Sequence, residues 1–285
     1  MRRLGRSFLF VAVLAFFAYF AVNSSAQNLI TLSNSVQTGT SEQKRDALFQ
    51  IKNLRSEESS RTALPALNDA DEMVRATAAS AVTFLPKNEA VAAIIPLLND
   101  KKEFVRREAA YALGMVGIPD VAAPLLKLLE KEKIYEVRTA AVAALGSTGD
   151  PDAVTFLLSI LKKKPNEDQD FLRRSAAHSI GQIAQVVRTG NAYTVTPQNF
   201  LPDKYKTAAG DDLTSRYPMF APAVTQLSQV LQNNNESDDT RREAAFALGA
   251  IGSPSATSIL RTIQNTTDAY LAEIVKEALL KIDAN

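Results

Sequence analysis

The sequence predicts an all-α protein, built as an α-solenoid (a superhelix) of about seven stacked helical hairpins within residues 41–285. Three observations support this prediction. A short motif recurs along the chain at nearly constant spacing, its copies place Ala and Leu at helical intervals, and several copies end at a Gly that precedes Pro or Asp. Such periods are typical of repeat architectures, in which neighbouring units bury a continuous core.

The motif is anchored by a basic residue, and we call its place the ladder position. Its occupants are Lys44, Arg75, Arg106, Arg138, Arg173 and Arg241, with Ala272 in the degenerate last copy. Successive copies are 31–35 residues apart, except that 68 residues separate Arg173 from Arg241. The long step equals one period plus an insertion of about 37 residues, so an inserted loop is predicted at about 188–219.

Each copy is predicted to form two helices. The first, which we call the Arg helix, holds the ladder position and ends at a glycine such as Gly117, Gly149 or Gly252. A second apolar helix follows, and a polar turn leads to the next copy. Pro65 and Pro96 lie inside second helices and are expected to kink them, because proline lacks a backbone N–H.

The third copy shows a close family resemblance. It is VRREAAYALGMVGIPDVAAPLLKLL, from Val105 to Leu129, and it resembles the short lyase-type (phycobilisome-lyase-like) HEAT repeat nearly throughout. The resemblance extends over about residues 41–282 and implies an array with the Arg helices on its concave side. It also implies a ladder of ion pairs between adjacent repeats. The corresponding acids, six residues before the ladder position, are Asp69, Asp100, Glu132 and Glu167, whereas Asn235 replaces the acid before Arg241.

The N-terminal segment is typical of a secretory signal peptide. Three arginines precede a 15-residue apolar stretch (8–22), and small residues lead to Ala26. We therefore expect residues 1–26 to be a signal peptide cleaved after Ala26, and the mature protein to be periplasmic or secreted. The alternative is an uncleaved membrane anchor, although a span needs about 17–25 apolar residues. Residues 27–40 are small and polar and are predicted to be a linker.

The composition excludes several classes of site. The chain has no Cys and a single His, His178, so disulfides, thiol catalysis and multi-histidine metal sites cannot be built. Its formal net charge is +1, or about −2 without the signal peptide, so the chain lacks the excess positive charge that favours binding to nucleic acid. We predict no metal, no cofactor and no enzymatic activity.

Two enzyme classes are the alternatives, and both follow from the resemblance alone. HEAT-like chains resemble deoxyhypusine hydroxylase, whose di-iron ligands come from repeated His-Glu pairs, and this sequence has no such dipeptide. A chromophore lyase is suggested only by the name of the repeat.

Two groups of residues are candidates for protein binding. In four Arg helices an arginine directly follows the ladder position, and an aromatic ring or imidazole lies four residues later on the same face. These pairs are Arg45/Phe49, Arg107/Tyr111, Arg174/His178 and Arg242/Phe246. The second group is the aromatic residues of the inserted loop, Tyr193, Phe200, Tyr205 and Tyr217. Arginine and aromatic side chains are enriched at binding hot spots, although Glu108 and Glu243 could neutralise the arginines instead.

The sequence therefore predicts an exported, non-enzymatic scaffold. We expect it to bind a protein or peptide on the concave face of its Arg helices, on the inserted loop, or on both. We expect no nucleic-acid partner, and a membrane contact only through an uncleaved N-terminal segment.

Overall fold

The computed structural model describes residues 27–192, 197–198, 201–202, 206 and 210–283, and every regular element in these ranges is helical. The prediction of an all-α solenoid is therefore confirmed. The predicted signal peptide, residues 1–26, lies outside the described residues. Candidate membrane spans are absent from the described helices.

The chain divides between Ala93 and Ile94 into two compact units. The helices of unit 1 are α1 (27–38), α2 (Ser41–Leu54), α3 (Glu57–Ala63), α4 (Glu72–Ala81) and α5 (Lys87–Ile94), at whose end the division falls. The helices of unit 2 are α6 (Glu103–Val116), α7 (Ala122–Lys131), α8 (Tyr135–Thr148), α9 (Ala153–Leu161), α10 (Asp170–Thr189), α11 (Leu213–Arg216), α12 (Phe220–Gln232), α13 (Asp238–Ile251), α14 (Thr257–Ile263) and α15 (Ala269–Asp283).

Residues 27–38 form a helix where the sequence analysis predicts a linker. Leu32 and Val36 lie four residues apart on one face of α1, and both are buried. Thr40 then begins α2 with a capping box, because its hydroxyl accepts from the backbone N–H of Gln43 and the Gln43 side chain accepts from the N–H of Thr40. The linker prediction was wrong here, because Leu29, Leu32 and Val36 have the spacing of one helix face although most residues of the segment are polar.

The two prolines change the type of helix, as expected. Pro65 lies in a 3-10 helix, Leu64–Asn68, that directly continues α3. Pro96 lies likewise in Ile95–Asn99, which directly follows α5. In each case the missing N–H and the bulk of the ring end the α-helical hydrogen bonding, and the chain tightens into a 3-10 turn.

Unit 2 is built of two helical layers. Its Arg helices pack side by side in the order α6, α8, α10, α13 and α15, while α7, α9, α12 and α14 form the second layer. Apolar side chains fill the space between the layers, and Leu113, Leu125, Leu145, Leu157 and Phe220 are fully buried. In unit 1, α2 and α4 pack against each other, and α3 contacts both.

Two sets of glycines serve different purposes in unit 2. The predicted helix ends are confirmed, because Gly117, Gly149 and Gly252 cap α6, α8 and α13 in the left-handed conformation, with φ of 55°, 68° and 76°. A second glycine, eight residues after the ladder position, lies against a small residue of the next Arg helix. A Cβ added at Gly114, Gly146, Gly181 or Gly249 would lie only 2.8–3.0 Å from the Cα of Ala144, Ser179, Ala247 or Ala278, respectively. These glycines set the close approach of neighbouring Arg helices.

The insertion begins later than predicted. Helix α10 continues to Thr189, so the loop starts at Gly190 rather than at 188. Described residues of the insertion contact the adjacent helices. The Gln182 amide donates to the carbonyl oxygen of Ala192 (2.7 Å), and the backbone N–H of Gln198 donates to the Glu277 carboxylate on α15 (2.6 Å).

Arg188 fastens the far end of the insertion to α13. Its Nη2 donates to the carbonyl oxygens of Asp211 and Ala250, each at 3.0 Å. Burial lowers the pKa of Arg188, and the nearby carboxylates of Asp211 and Asp212 offset only part of this effect. The inserted segment is thus held at the C-terminal end of α10 and α13.

Candidate protein-binding face

Ladder residues tie several of the Arg helices to the neighbouring repeat. In unit 2, Arg106 Nη1 donates to the carbonyl oxygen of Asp100 (2.9 Å), and Arg106 Nε donates to Glu132 Oε2 of the next repeat (2.6 Å). In unit 1, Lys44 Nζ contacts Asp69 Oδ2 at 2.6 Å. The predicted ladder is confirmed at these two places, and its acid pairs with the basic residue of the preceding repeat.

The ladder departs from the predicted spacing near α10. The step to Arg173 is four residues longer than the usual 31, and Glu167 in the lengthened turn has no partner among the described residues. Arg138 Nε is buried without a hydrogen-bond partner. Glu236, the neighbour of Asn235, supplies the acid for Arg173 (Nε to Oε2, 3.0 Å). The assignment of Glu167 to the ladder was therefore wrong, and Glu236 takes the place that Asn235 leaves open.

The pair of Arg173 and Glu236 is the most buried ion pair among the described residues. Arg173 is 2% exposed, and its Nη2 also donates to Glu236 Oε1, so the two groups meet as a fork. Arg173 Nη1 donates to the carbonyl oxygens of Ile160 (3.0 Å) and Lys163 (2.7 Å) at the end of α9. One guanidinium thus joins three helices.

The ladder acids make stability depend on pH. Burial alone would raise the pKa of Glu132, but hydrogen bonds from Arg106 and from the backbone N–H groups of Ile134 and Lys133 outweigh it and hold the pKa below its ordinary value. A lowered pKa means that the unfolded chain binds more protons in acid. The contribution of Glu132 is therefore present above its unfolded pKa of about 4.3 and is lost as the pH falls through its native pKa.

We expect the free energy of unfolding to fall as the pH is lowered from about 5 to about 3, since the unfolded chain takes up protons in this range. Glu132→Gln removes one titrating group and should lessen this slope. Urea denaturation at several pH values measures it, with Glu130→Gln, an exposed acid two residues earlier, as the control. A slope unchanged in Glu132→Gln would contradict the prediction.

We define the Arg-helix face as the side of α6, α8, α10, α13 and α15 that holds the residues two before and one, five and nine after the ladder position. On α6, the guanidinium of Arg107 lies over the ring of Phe104, 4.7 Å from its centroid, and also pairs with Glu108 (2.9 Å). Tyr111 is 45% exposed, and Met115, one turn later, is exposed as well. Arg107 therefore uses the ring of the preceding turn rather than Tyr111, and Glu108 neutralises its charge.

The arginine and histidine of α10 interact with α13. Arg174 Nη1 pairs with Asp239 Oδ2 (2.9 Å), and His178 Nδ1 lies 2.8 Å from Glu243 Oε2. The His178 ring stacks on Phe246, with centroids 5.5 Å apart. Phe246 is only 4% exposed, because the close approach of α10 and α13 covers it. The placement of Phe246 on an exposed stripe was therefore wrong, and His178 covers its ring.

Arg242 of α13 forms two ion pairs, one within its own helix and one with the next repeat. Arg242 pairs with Asp268 at the start of α15 and with Asp239, each at 2.9 Å. The hydrogen bond to Asp268 raises the pKa of Arg242. Its guanidinium lies 5.7 Å from the ring centroid of Tyr270, which is 64% exposed. Together with Arg174, these groups form a chain of ion pairs across three adjacent Arg helices.

The remaining predicted residues are less connected. Arg45 and Phe49 are both exposed on α2 of unit 1. Tyr217 is half-buried at the end of the insertion, where its ring meets Phe220 edge-on at 6.3 Å and the guanidinium of Arg216 at 5.5 Å. Three predicted residues, Tyr193, Phe200 and Tyr205, lie outside the described residues, so their role stays a prediction.

The position two residues before the ladder holds aromatic rings that the sequence analysis did not select. From α6 to α15 this position alternates between aromatic and acidic residues, namely Phe104, Glu136, Phe171, Asp239 and Tyr270. Phe171 is 64% exposed, like Tyr270. This alternation is visible in the sequence at a fixed place in the motif. The predicted binding residues were pairs within one helix, so a pattern that runs from helix to helix was not included.

The side chains considered for catalysis, His178 and Ser179, are engaged in other contacts. Among the described residues, no group of three or more His, Cys, Asp or Glu side chains could hold a metal ion. His178 is engaged by Glu243, and the buried hydroxyl of Ser179 donates to the carbonyl oxygen of Val142 (2.9 Å). Ser179 is therefore not presented to His178 as a nucleophile.

Comparisons with known proteins agree with this architecture. A family model described as HEAT repeats matches residues 60–146 and 104–181, and one described as PBS lyase HEAT-like repeat matches residues 240–266. No curated protein sequence matches the chain.

Several solved structures are similar in fold. The complex of CpcE and CpcF of phycocyanin lyase from Nostoc sp. PCC7120 is 20% identical, with 88% of this chain and 93% of that chain covered and a TM-score of 0.50. A designed armadillo repeat protein in complex with the peptide (KR)4 is 17% identical, with coverages of 89% and 99% and a TM-score of 0.45. Human deoxyhypusine hydroxylase in complex with glycerol is 17% identical, with coverages of 93% and 99% and a TM-score of 0.34.

At 20% identity the complex of CpcE and CpcF indicates the fold alone. The repeat period, the ladder and the helix-ending glycines agree with the matching family models, and the chain is therefore a HEAT-repeat protein with repeats of the PBS lyase HEAT-like type.

Proposed function

We propose that this protein is an exported, non-catalytic scaffold whose Arg-helix face binds a protein or peptide partner. The observation that carries the proposal is the set of large side chains exposed on that face, which are Tyr111, Met115, Phe171 and Tyr270. Aromatic side chains bury a large area with little loss of conformational freedom, which is why they dominate binding hot spots.

The charged residues of the same face support a preformed binding surface. Arg174, Asp239, Arg242 and Asp268 are joined in sequence by ion pairs of 2.9 Å. Side chains that are already held in place lose less conformational freedom when a partner binds. The repeat architecture places equivalent residues at regular intervals, which suits a partner with an extended segment.

The non-catalytic part of the proposal is supported by the residues available for chemistry. The chain has no Cys, and its single His is engaged by Glu243 and stacked on Phe246. The export part is supported by the pattern of residues 1–26.

Affinity capture from cross-linked native envelopes tests the proposal. We would compare wild type with the triple variant Tyr111→Ala/Phe171→Ala/Tyr270→Ala. Ile30→Ala is the control, because Ile30 is also more than half exposed but lies on α1, which is not part of the Arg-helix face. We expect wild type and the control to retain one partner, and the triple variant to retain at least about tenfold less of it, since a hot-spot residue contributes more than about 1 kcal/mol.

Any one of four results would contradict the proposal or one part of it. Full retention of the partner by the triple variant would remove the Arg-helix face from binding, and the absence of any partner from wild type would remove the scaffold function. Stoichiometric iron or a bound chromophore would contradict the non-catalytic part. N-terminal sequencing of the captured protein should begin at Gln27, and an intact Met1 would contradict cleavage.

A further inference from the structure

A cavity of about 610 Å³ opens between the turn before α10 and the turn before α13, and we call it the Phe171 cavity. Its walls include Pro165, Glu167, Asp170, Phe171, Arg173 and Glu236. The wall at Pro165 and Glu167 belongs to the turn that is four residues longer than the usual repeat allows. The volume lies within the range of about 300–1,000 Å³ that ligand pockets occupy.

Phe171 presents an open aromatic face to this cavity. Its side chain is 64% exposed and has no ring or cation contact among the described residues. Arg174, one turn later on the same helix, points to Asp239 of α13 instead, at 2.9 Å. Nothing from α10 itself therefore covers the ring.

The equivalent aromatic rings of unit 2 each have a guanidinium within 6 Å of the ring centroid. On α6, Arg107 of the same helix lies 4.7 Å from the Phe104 centroid, and on α15, Arg242 of the preceding repeat lies 5.7 Å from the Tyr270 centroid. For Phe171 neither source is available. Its own arginine is engaged elsewhere, and the preceding repeat has Thr139 in the place of the second arginine.

The charge of the walls favours a cation. The buried ladder pair neutralises itself, which leaves the carboxylates of Glu167 and Asp170. Asp170 accepts a hydrogen bond from the Thr240 hydroxyl (3.2 Å), and Glu167 has no partner within the described ranges. The lysines at 162–164 precede the cavity but do not line it. An aromatic face beside free carboxylates attracts a cation by its quadrupole and by charge together.

We propose that the Phe171 cavity receives an arginine side chain of the protein partner, with the guanidinium on the ring of Phe171 and hydrogen-bonded to Glu167. Arginine is assigned rather than lysine because a planar guanidinium can stack on a ring while it donates to a carboxylate. This inference rests on the proposed function and deepens it, since it assigns a cationic anchor to the partner.

Titration of the full chain with the tripeptide acetyl-Gly-Arg-Gly-amide tests the inference. NMR of ¹³C-labelled phenylalanine rings follows binding, and Phe171→Leu identifies the signal of Phe171. We expect a saturable shift of that signal, with a dissociation constant on the order of a few millimolar, as is reasonable for one cation–π contact with one charged hydrogen bond. The control peptide acetyl-Gly-norleucine-Gly-amide has a side chain of similar length without the charge and should give no saturable shift.

Matched variants separate the two contacts. Glu167→Gln should weaken binding of the arginine peptide about three- to fivefold, and Phe171→Leu should weaken it to a similar extent when followed by calorimetry. Phe104→Leu makes the same change at a covered ring and should leave binding unaltered. Thermal unfolding confirms that each variant is folded, which is expected because Glu167 and Phe171 are both exposed.

The inference is overturned if the norleucine peptide binds equally well, if acetyl-Gly-Glu-Gly-amide binds more tightly, or if both variants bind like wild type. Its failure can be told from failure of the proposed function. A captured partner that is lost in Tyr111→Ala/Tyr270→Ala but bound normally by Glu167→Gln keeps the scaffold function and removes the arginine anchor. Binding of the arginine peptide without any captured partner would keep the arginine site and remove the scaffold function.

Discussion

Replacing Arg173 by methionine is expected to destabilise unit 2 by about 3–5 kcal/mol, because the change leaves the Glu236 carboxylate buried and unpaired. It also removes the donor to the carbonyl oxygens of Ile160 and Lys163 at the end of α9. Urea denaturation measures the loss. Arg261→Met is the control, since the contact of Arg261 with Asp283 is long (3.6 Å) and exposed, and such pairs contribute less than about 1 kcal/mol.

The double variant Arg173→Met/Glu236→Leu tests the physical reason. If the unpaired carboxylate causes most of the loss, removal of both charges should restore much of the stability. Restoration should be incomplete, because the carbonyl oxygens of α9 still lack their donor. A single variant as stable as Arg261→Met would contradict the account of the buried pair, and a double variant less stable than the single one would contradict the proposed cause.

Phe220→Ala is expected to cost about 3–5 kcal/mol, the usual range for a fully buried phenylalanine in a close-packed core. Phe220 is the first residue of α12 and has no exposed surface, and Tyr217 at the end of the insertion packs edge-on against it. The loss combines the transfer of apolar atoms with the cavity that remains, so Phe220→Leu, which refills most of the volume, should cost clearly less.

The same substitution at an exposed ring provides the control for this prediction. Phe171→Ala removes an identical side chain that is mostly in solvent, and it should change the unfolding midpoint little. Thermal and urea unfolding of the two variants give the comparison. Equal losses at Phe220 and Phe171 would contradict the burial argument.

The helices and their ends were predictable where a few neighbouring residues determine them. Helix ends at Gly117, Gly149 and Gly252 follow from the need for a left-handed residue after the last helical turn. The ladder acids Asp69 and Glu132 were implied by the resemblance to the HEAT repeat, and both lie in repeats of nearly equal length. Helix α1 was harder to predict by the same means, because it lies before the first copy of the repeat motif and polar residues separate Leu32 from Val36 on its buried face.

The candidate site was predictable only in part, because its contacts are made between helices. The sequence places Arg242 and Phe246 on one face of α13, but Arg242 turns to Asp268 of the next repeat, and Phe246 packs under His178. In the turn before α13 the ladder acid is likewise Glu236 and not the residue at 235, since residue counting cannot tell which side chain of a turn points back at Arg173.

The glycines of the Arg helices determine how closely the next helix can pack, and α15 differs from the other Arg helices at this position. Four successive Arg helices of unit 2 present a hydrogen atom at the point of closest approach to the next helix, and α15 presents Leu280 there, with 66% of that residue in solvent. A second molecule that tried to dock as one more repeat on α15 would meet this side chain before its backbone could reach the spacing of the other helices. Leu280 thus keeps a further helix from packing on α15 at the close spacing that the glycines allow between the other Arg helices.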